Sequence, residues 1–388
     1  MTGCMIGWAH MPFGKHEDDD YESMIVRVAR DALKDAGVPA KDVDEIFVGL
    51  LNAGMCKQEF PSALVLQADD DLRYKPATRV ENACATGTAA IYQGLNAIAA
   101  GKARIVLVVG VEKMTHVPGP EMGEILTKGS YVKEEAETYD SFAGVFGHIA
   151  NLYFQRHGDQ TEALARIATK NHKNGTANPL AHMQKELSYE FCLEPSEKNP
   201  FVAPPLKRTD CSLVTDGAAA VVLADVETAM AMKKAVVFRA AQHVTDFFPM
   251  SRRDMTYFDG AARAWHQAFD EAGVTVDDLD VVETHDCFTI AELMQYEAMG
   301  LTSRGEGRRA IDEGWTAKDG RLPVNASGGL KSKGHPIGAT GVSMHVLQAM
   351  QVSGEAGGIQ VDGASLAGIF NMGGAGVANL CSIIEPLR

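Results

Sequence analysis

One segment of this chain occurs twice. AGVPAKDVDEIFVG, beginning at Ala36, returns as AGVTVDDLDVVETH, beginning at Ala272, with every matched residue at the constant offset fixed by Ala36 and Ala272. The Ala-Gly-Val start, the Asp-[Val/Leu]-Asp pair and the apolar run that follows all fall in register. A helical pattern precedes each copy: Met24, Ile25, Val28, Ala32 and Leu33 in the first, and the Ala261–Ala272 stretch in the second. Gly37 supplies the usual stop for the first of these helices. A three-residue match arises easily by chance, but a matching order of helix, tight turn and strand indicates duplication. The period is far too long for a solenoid. The expected fold class is therefore α/β, with two related halves.

Composition narrows the rest. A chain of 388 residues exceeds what one hydrophobic core usually serves, and 46% hydrophobic with 22% charged residues suits a globular enzyme. The formal net charge of -15 disfavours nucleic acid or an anionic membrane as a general partner, because both need a basic surface. Seven cysteines without a Cys-x-x-Cys pair offer no zinc or dithiol motif and fit a reducing compartment. MTGCMIGWAH has no basic segment followed by an apolar core, no apolar run approaches ~18 residues, and the last residues are not Ser-Lys-Leu. A cytoplasmic protein is expected.

Strands are expected at Glu45–Leu51, at Arg104–Val111, which is continuous and β-branched, and within Asp216–Asp225. Between the last two, residues 116–204 are polar and broken by prolines, with helical pieces around Phe146–Gln155 and Glu162–Asn171. That region reads as an insertion lying over the first half. The expected division is 1–115 plus 205–230 as an N-terminal domain, 116–204 as the inserted loop domain, and 231–388 as a C-terminal domain. The last strand is expected to carry IFNMGGAGVANL from Ile369.

The chemistry centres on Val80–Met114, where extended chain gives way to a turn, a small-residue helix and a buried strand. Cys84 sits at the turn, where free backbone N–H groups and the helix dipole favour a thiolate. A cysteine there equally serves as a small buried hydrophobe. His335 is held between Gly334 and Pro336 just before a helix, as a base or as a structural histidine. Glu283–Phe288, ETHDCF, follows the second copy's strand at its C-terminal end, the edge where ligand sites collect in α/β sheets. It places His285 and Cys287 there, unless it is simply a surface loop. A thiol with a histidine base gives a nucleophile, and a second thiol gives an acid/base near neutral pH. Two thiols and two histidines suit acyl transfer coupled to carbon–carbon bond chemistry.

NACATGTAA, KNHKNGTANP (Lys170–Pro179), HDCF (His285–Phe288) and PVNASGGLKSKGHPIGATG (Pro323–Gly341), in this order, resemble the thiolases, and among them the sterol carrier protein-type thiolases. The resemblance covers essentially the whole chain. It implies a five-layered α-β-α-β-α arrangement with an inserted loop domain. Most thiolases carry an Asn-Glu-x-Phe-type motif in place of HDCF and a second catalytic cysteine in Cys-x-Gly, where this chain has Asn371-Met372-Gly373. In the sterol carrier protein-type group the HDCF cysteine takes over the acid/base role. The resemblance thus implies Cys84 as nucleophile, His335 as its base, and Cys287 as the replacing thiol. It puts His285 in the place of the asparagine at the first oxyanion site, and gives the second site to the backbone N–H groups of Cys84 and Gly373.

The implied activity is cleavage of a 3-ketoacyl-CoA by CoA, or the reverse Claisen condensation, in lipid metabolism or fatty acid degradation. The alternatives are a thiolase-like retro-aldolase and an acyl-CoA-binding subunit of a larger assembly. Coenzyme A and acyl-CoA are implied as substrates, with no metal and no tightly bound cofactor. Candidate CoA contacts are Lys207, Arg208, Lys170 and Lys173 for the phosphates and the Ser327-Gly328-Gly329 turn for pantetheine. Implied partners are a second copy in a homodimer, or three in a tetramer, and an OB-fold protein.

Overall fold

The computed structural model describes residues 3–135 and 138–387. In chain order the elements are β1 (Cys4–His10), α1 (Tyr21–Ala36), β2 (Glu45–Gly49), β3 (Ala77–Val80), α2 (Thr86–Ala99) and β4 (Ile105–Glu112). Then follow α3 (Phe142–His157), α4 (Thr161–Gly175) and β5 (Gly217–Ala224). The second half holds β6 (Val236–Thr245), α5 (Asp259–Ala272), β7 (Val281–Thr284), α6 (Thr289–Ala298), α7 (Ile337–Val352), β8 (Ala367–Gly373) and β9 (Ala378–Pro386).

The duplication is written into the sheet. Strand order is β3-β2-β4-β5-β1-β6-β9-β8-β7. The inner four strands of the first half run β2-β4-β5-β1, parallel once and then antiparallel twice. In the second half β7-β8-β9-β6 repeat that pattern of directions. Where the first half has β3, the second has only a parallel bridge between Val282 and Val324. A short antiparallel contact of Cys4 and Met5 with Val237 and Val236 joins the halves into one continuous order. The repeated turn has the same geometry twice: Gly37 (φ 67) and Gly273 (φ 66) each end a helix in the left-handed region, where a Cβ is costly.

Five layers result. Helix α1 covers one face of the first half-sheet and α5 one face of the second, while α2 and α7 lie between the halves and pack on each other. An amphipathic helix suffices outside; a helix between two sheets must be apolar or internally satisfied on every side. Met350 is the one α7 residue that is not buried. The two central helices approach where glycine leaves room. A Cβ on Gly341 would lie 2.2 Å from the Thr88 nitrogen, and one on Gly87 would lie 2.7 Å from the Val342 nitrogen. Both sit in an Ala-Thr-Gly triplet of the first helical turn, so the close crossing brings the two helix N-termini together.

The terminal run contains a hairpin where one strand was expected. IFNMG and ANLCS are antiparallel partners, and the glycine turn between them reverses the chain. Strands β1 and β6 carried no recognisable local pattern. Cys381 is fully buried on β9, among core residues.

Candidate active site

The chain folds tightly before α2. Ala83 adopts φ 47, a conformation unusual for a residue with a Cβ, and its carbonyl accepts the Thr86 hydroxyl at 2.6 Å. That turn leaves Cys84 just ahead of the helix, 9% exposed. His335 occupies the corresponding place before α7. His285 follows β7. The sulfur of Cys84 and one ring nitrogen from each histidine all lie within 4.8 Å of one another. The imidazoles meet edge to face, their centroids 5.2 Å apart. By ligand type, this set of one cysteine and two histidines would also suit a zinc ion.

Burial sets the protonation states. It lowers His335 to about 3, aided by the Lys333 charge, and takes His285 well below the ordinary histidine value, with His335 and Lys333 adding to the effect. Both rings are neutral. Burial also pushes the Cys84 thiol up to about 12, although the Gly374 N–H and its own N–H act the other way. This corrects the thiolate expectation: the dipole and N–H groups are present, but desolvation outweighs them. The unliganded pair is a neutral thiol beside a neutral imidazole. The N–H that reaches the sulfur from the β8–β9 turn belongs to Gly374, one residue beyond the expected Gly373.

Hydrogen bonds fix both rings. The Nδ1 of His335 is 2.6 Å from the Thr340 hydroxyl, which donates to the Pro336 carbonyl at 3.0 Å. That hydroxyl is therefore an acceptor for an Nδ1–H, leaving Nε2 of His335 as a bare lone pair. The Nδ1 of His285 lies 3.1 Å from the Asn371 amide nitrogen, which also donates to the Cys84 carbonyl at 3.1 Å. Neither Nε2 has a protein partner, and both are buried.

Two cavities meet at Cys84. One, of about 250 Å³, runs past Cys287, His335, Ser212 and Phe288 toward Val202 and Val214, which are about half exposed. The other, of about 440 Å³, includes Cys84, Leu51, Ala53 and Ile125, with Arg79 and Lys128 on its wall, but neither Cys287 nor His335. Cys287 is itself buried, its thiol raised well above the ordinary value by desolvation and then by its neighbours Cys84 and Asp286.

The HDCF loop is held from below by the KNHKN motif. Lys170 reaches Glu292 at 2.6 Å and the Val324 carbonyl at 2.6 Å, while Asn171 donates to Asp286 at 2.8 Å and to Glu292 at 2.6 Å. Asn174 and Asn178 donate to the carbonyls of Asn325 and Ser327. From above, Phe146 of α3 stacks on Phe288, and the Ser212 N–H donates to the Cys287 carbonyl at 2.9 Å. Helices α3 and α4 thus pack directly on the loop that carries His285 and Cys287.

Several expected CoA contacts have other work. Lys207 is buried with its ammonium 3.1 Å from Asp210, so it cannot serve a phosphate in solvent. Lys170 is buried and paired as described. Ser327 is buried and bonded to Glu283, Gly328 packs on Gly175, and a Cβ on Gly329 would strike Asp286; none of the three is in the wall of either cavity. Lys173 is exposed beside a separate polar cavity of about 840 Å³. Arg208 is exposed at the end of the small hairpin that also bears Val202. Sequence reading missed Asn371, Thr340 and Ser212 as site residues. The Ala-Thr-Gly triplet shared by α2 and α7 would have pointed to Thr340.

Comparison with known proteins decides the family. The thiolase N-terminal domain family matches residues 4–227, and the thiolase C-terminal domain-like family matches residues 241–386. This chain is a member of the thiolase family. It is 38% identical to acetyl-CoA acetyltransferase of Methanothermobacter thermautotrophicus over 96% of each chain, and 32% identical to human sterol carrier protein 2 over 96% of this chain and 70% of that one. The solved structure of the Ltp2-ChsH2(DUF35) aldolase has the same fold, with a TM-score of 0.85 and 20% identity over 100% of this chain and 98% of that one. Human mitochondrial 3-ketoacyl-CoA thiolase in complex with CoA gives a TM-score of 0.76 at 18% identity, covering 100% and 98%. As a thiolase, the protein is an acyltransferase. Among the described residues, no helix is long and apolar enough to cross a membrane.

Proposed function

We propose that this thiolase cleaves 3-ketoacyl-CoA with CoA, and runs the reverse Claisen condensation, through an acyl group carried on Cys84. The observation that carries this reading is the meeting of two cavities at one sulfur, with the second thiol and the base in only one of them. The half of the substrate that leaves as an acyl-CoA must touch a proton donor, and it fits the cavity containing Cys287 and His335. The half that stays on the enzyme needs only the nucleophile, and it fits the cavity that includes Cys84 without them.

The neutral starting states dictate the order of events. Nε2 of His335 takes the Cys84 proton as the sulfur attacks the keto carbon, so charge separates only once substrate is present. The resulting oxyanion accepts from the N–H groups of Cys84 and Gly374. Its collapse breaks the carbon–carbon bond, and the electron pair passes to the thioester enolate. His335, now carrying a proton on Nε2, and His285 hold the enolate oxygen. Cys287 protonates the enolate carbon, and acetyl-CoA (or propionyl-CoA) leaves, while the shortened acyl group stays on Cys84. CoA then enters, its thiol proton goes to the Cys287 thiolate, and its sulfur attacks the acyl-Cys84. Acyl-CoA departs, and Cys84 recovers its proton from His335.

In this reading pantetheine threads past Ser212, and the exposed Arg208, at the end of the hairpin that bears Val202, meets the CoA phosphates. The threefold division, with 116–204 as a lid over the 1–115 plus 205–230 and 231–388 domains, belongs to the same proposal. So do a cytoplasmic homodimer or tetramer and a role in lipid degradation. A second reading has a specific support: the fold is shared with an aldolase whose solved complex includes a DUF35 partner. A retro-aldolase would not need Cys84, so intact Cys84 beside two neutral histidines favours the thiolase.

The test is CoA-dependent cleavage of acetoacetyl-CoA and longer 3-ketoacyl-CoA substrates. Cys84→Ala should abolish it, and Cys287→Ala should lose cleavage while Cys84 still acylates slowly. Wild-type turnover in Cys84→Ala would overturn the reading.

A further inference from the structure

The two histidines face the same space with the same burial, yet the reaction asks opposite things of them at the outset. One must accept a proton from sulfur, and the other must donate to oxygen. An isolated neutral imidazole can be either, depending on which nitrogen holds its hydrogen. We infer that Asn371 is the positioning residue that assigns His285 its part, holding it in the Nε2–H tautomer as a hydrogen-bond donor while Thr340 holds His335 in the opposite one.

The Cys84 carbonyl fixes the orientation of the Asn371 amide, and the Thr88 hydroxyl is compatible with it. Its oxygen accepts the Thr88 hydroxyl at 2.8 Å, and its nitrogen faces the Cys84 carbonyl at 3.1 Å, which can only accept. A flipped amide would set oxygen against oxygen at Cys84. The remaining hydrogen on the amide nitrogen points to Nδ1 of His285 at 3.1 Å, and that nitrogen must therefore be the bare one. The imidazole proton is left on Nε2, which is buried without a protein partner. An unmet buried donor is costly, and a substrate oxygen placed there would satisfy it. All of Thr88, Asn371 and His285 are fully buried, so water does not compete for these bonds. Asn371 also stands where most thiolases have a cysteine. In this chain that position has given up acid/base work, which Cys287 assumes in the proposed function, and has taken on alignment of its neighbour.

The inference rests on the proposed thiolase reaction for its catalytic meaning, but the tautomer itself is measurable without turnover. The experiment is long-range ¹H–¹⁵N correlation on the full-length protein labelled with ¹⁵N-histidine, with His285 assigned through His285→Gln. Wild type should show a neutral His285 protonated at Nε2. Asn371→Asp, examined at about pH 8.5 so that the imidazole stays neutral, should move that proton to Nδ1. Acetoacetyl-CoA thiolysis by this variant should lose ~10³–10⁴ in kcat, the scale of a reversed histidine tautomer, with KM changed only a few-fold. A wild-type His285 carrying its proton on Nδ1 overturns the inference, whether or not any variant folds. So does a kcat loss in Asn371→Asp with the Nε2–H tautomer retained. A wild-type protein with the Nε2–H form that cleaves no 3-ketoacyl-CoA would instead sink the thiolase reading and leave the tautomer assignment standing.

Discussion

Replacing Gly341 with alanine tests whether the crossing of the two central helices sets the catalytic distances. The new Cβ would sit 2.2 Å from the Thr88 nitrogen, 2.4 Å from the Thr88 hydroxyl and 2.5 Å from the Asn371 amide oxygen. Comfortable contact begins at ~3.5 Å, so one helix must retreat by roughly 1 Å. The closest atom is backbone, so no side-chain rotation relieves it. Alanine returns ~1 kcal/mol of helix propensity, while forced overpacking costs ~1–3 kcal/mol. The clash is severe enough that the net should be a loss of about 1–2 kcal/mol, read as a lower urea midpoint. The larger effect is on chemistry. Cys84 precedes one helix and His335 the other, and a 1 Å misplacement of reacting groups costs on the order of 10²-fold in rate. The assay is acetoacetyl-CoA thiolysis beside a urea titration, with Gly119→Ala, whose Cβ would meet nothing within 4 Å, as the control. If Gly341→Ala keeps wild-type kcat within two-fold and an unchanged midpoint, the helix crossing is not what holds the site together.

Two further outcomes follow from buried charge. Lys170→Met should destabilise the fold by ~3–5 kcal/mol, because it leaves the buried Glu292 carboxylate without its counter-charge, held only by the neutral donors of Asn171, Asn325 and Tyr296; adding Glu292→Gln should restore much of that, and a urea titration showing under ~1 kcal/mol for the single variant would mean the KNHKN motif is not a structural anchor. Stability should also fall as pH drops below ~6.5: His10, His172 and His335 are depressed to about 3 and His345 to about 4, so the unfolded chain binds protons there that the native one refuses. By pH ~5 each histidine forfeits about 2 kcal/mol. Glu112 and Asp286, raised to about 7 by burial, work in the opposite direction as the pH falls below that value and recover part of it. A net loss of a few kcal/mol between pH 7 and 5 is expected in urea titrations, and a flat profile would contradict the neutral-histidine site.

Much of this architecture was legible because duplication exposes itself twice. Helix α1 ended at Ala36, as the Met24–Leu33 spacing and Gly37 required, and the same turn at Gly273 marked its partner. Strands β1 and β6 were not legible, because each is defined by partners far along the chain: Cys4–His10 pairs with residues 219–224. The β8–β9 hairpin was hidden because its turn, Gly373-Gly374-Ala375-Gly376, carries none of the polar or proline residues that usually mark one. At the site, residue types and motifs pointed to Cys84, His285, Cys287 and His335, but not to their protonation. A helix start argues for a thiolate, and only the packed structure shows desolvation overruling it. Lys207 was misjudged for the same reason, although Asp210 three residues later was a visible hint of an internal pair. Asn371 was noticed as a missing cysteine; its use became apparent only with Thr88, Cys84 and His285 brought around it.

The measurement that bears most directly on the central claim is intact mass spectrometry, with peptide mapping, of protein mixed with acetoacetyl-CoA or acetyl-CoA and quenched in acid. One acetyl group per chain should map to Cys84 with either thioester, persist with acetyl-CoA in Cys287→Ala and be absent from Cys84→Ala. An acetyl group found on Cys287, or one that forms as readily without Cys84, would contradict the account.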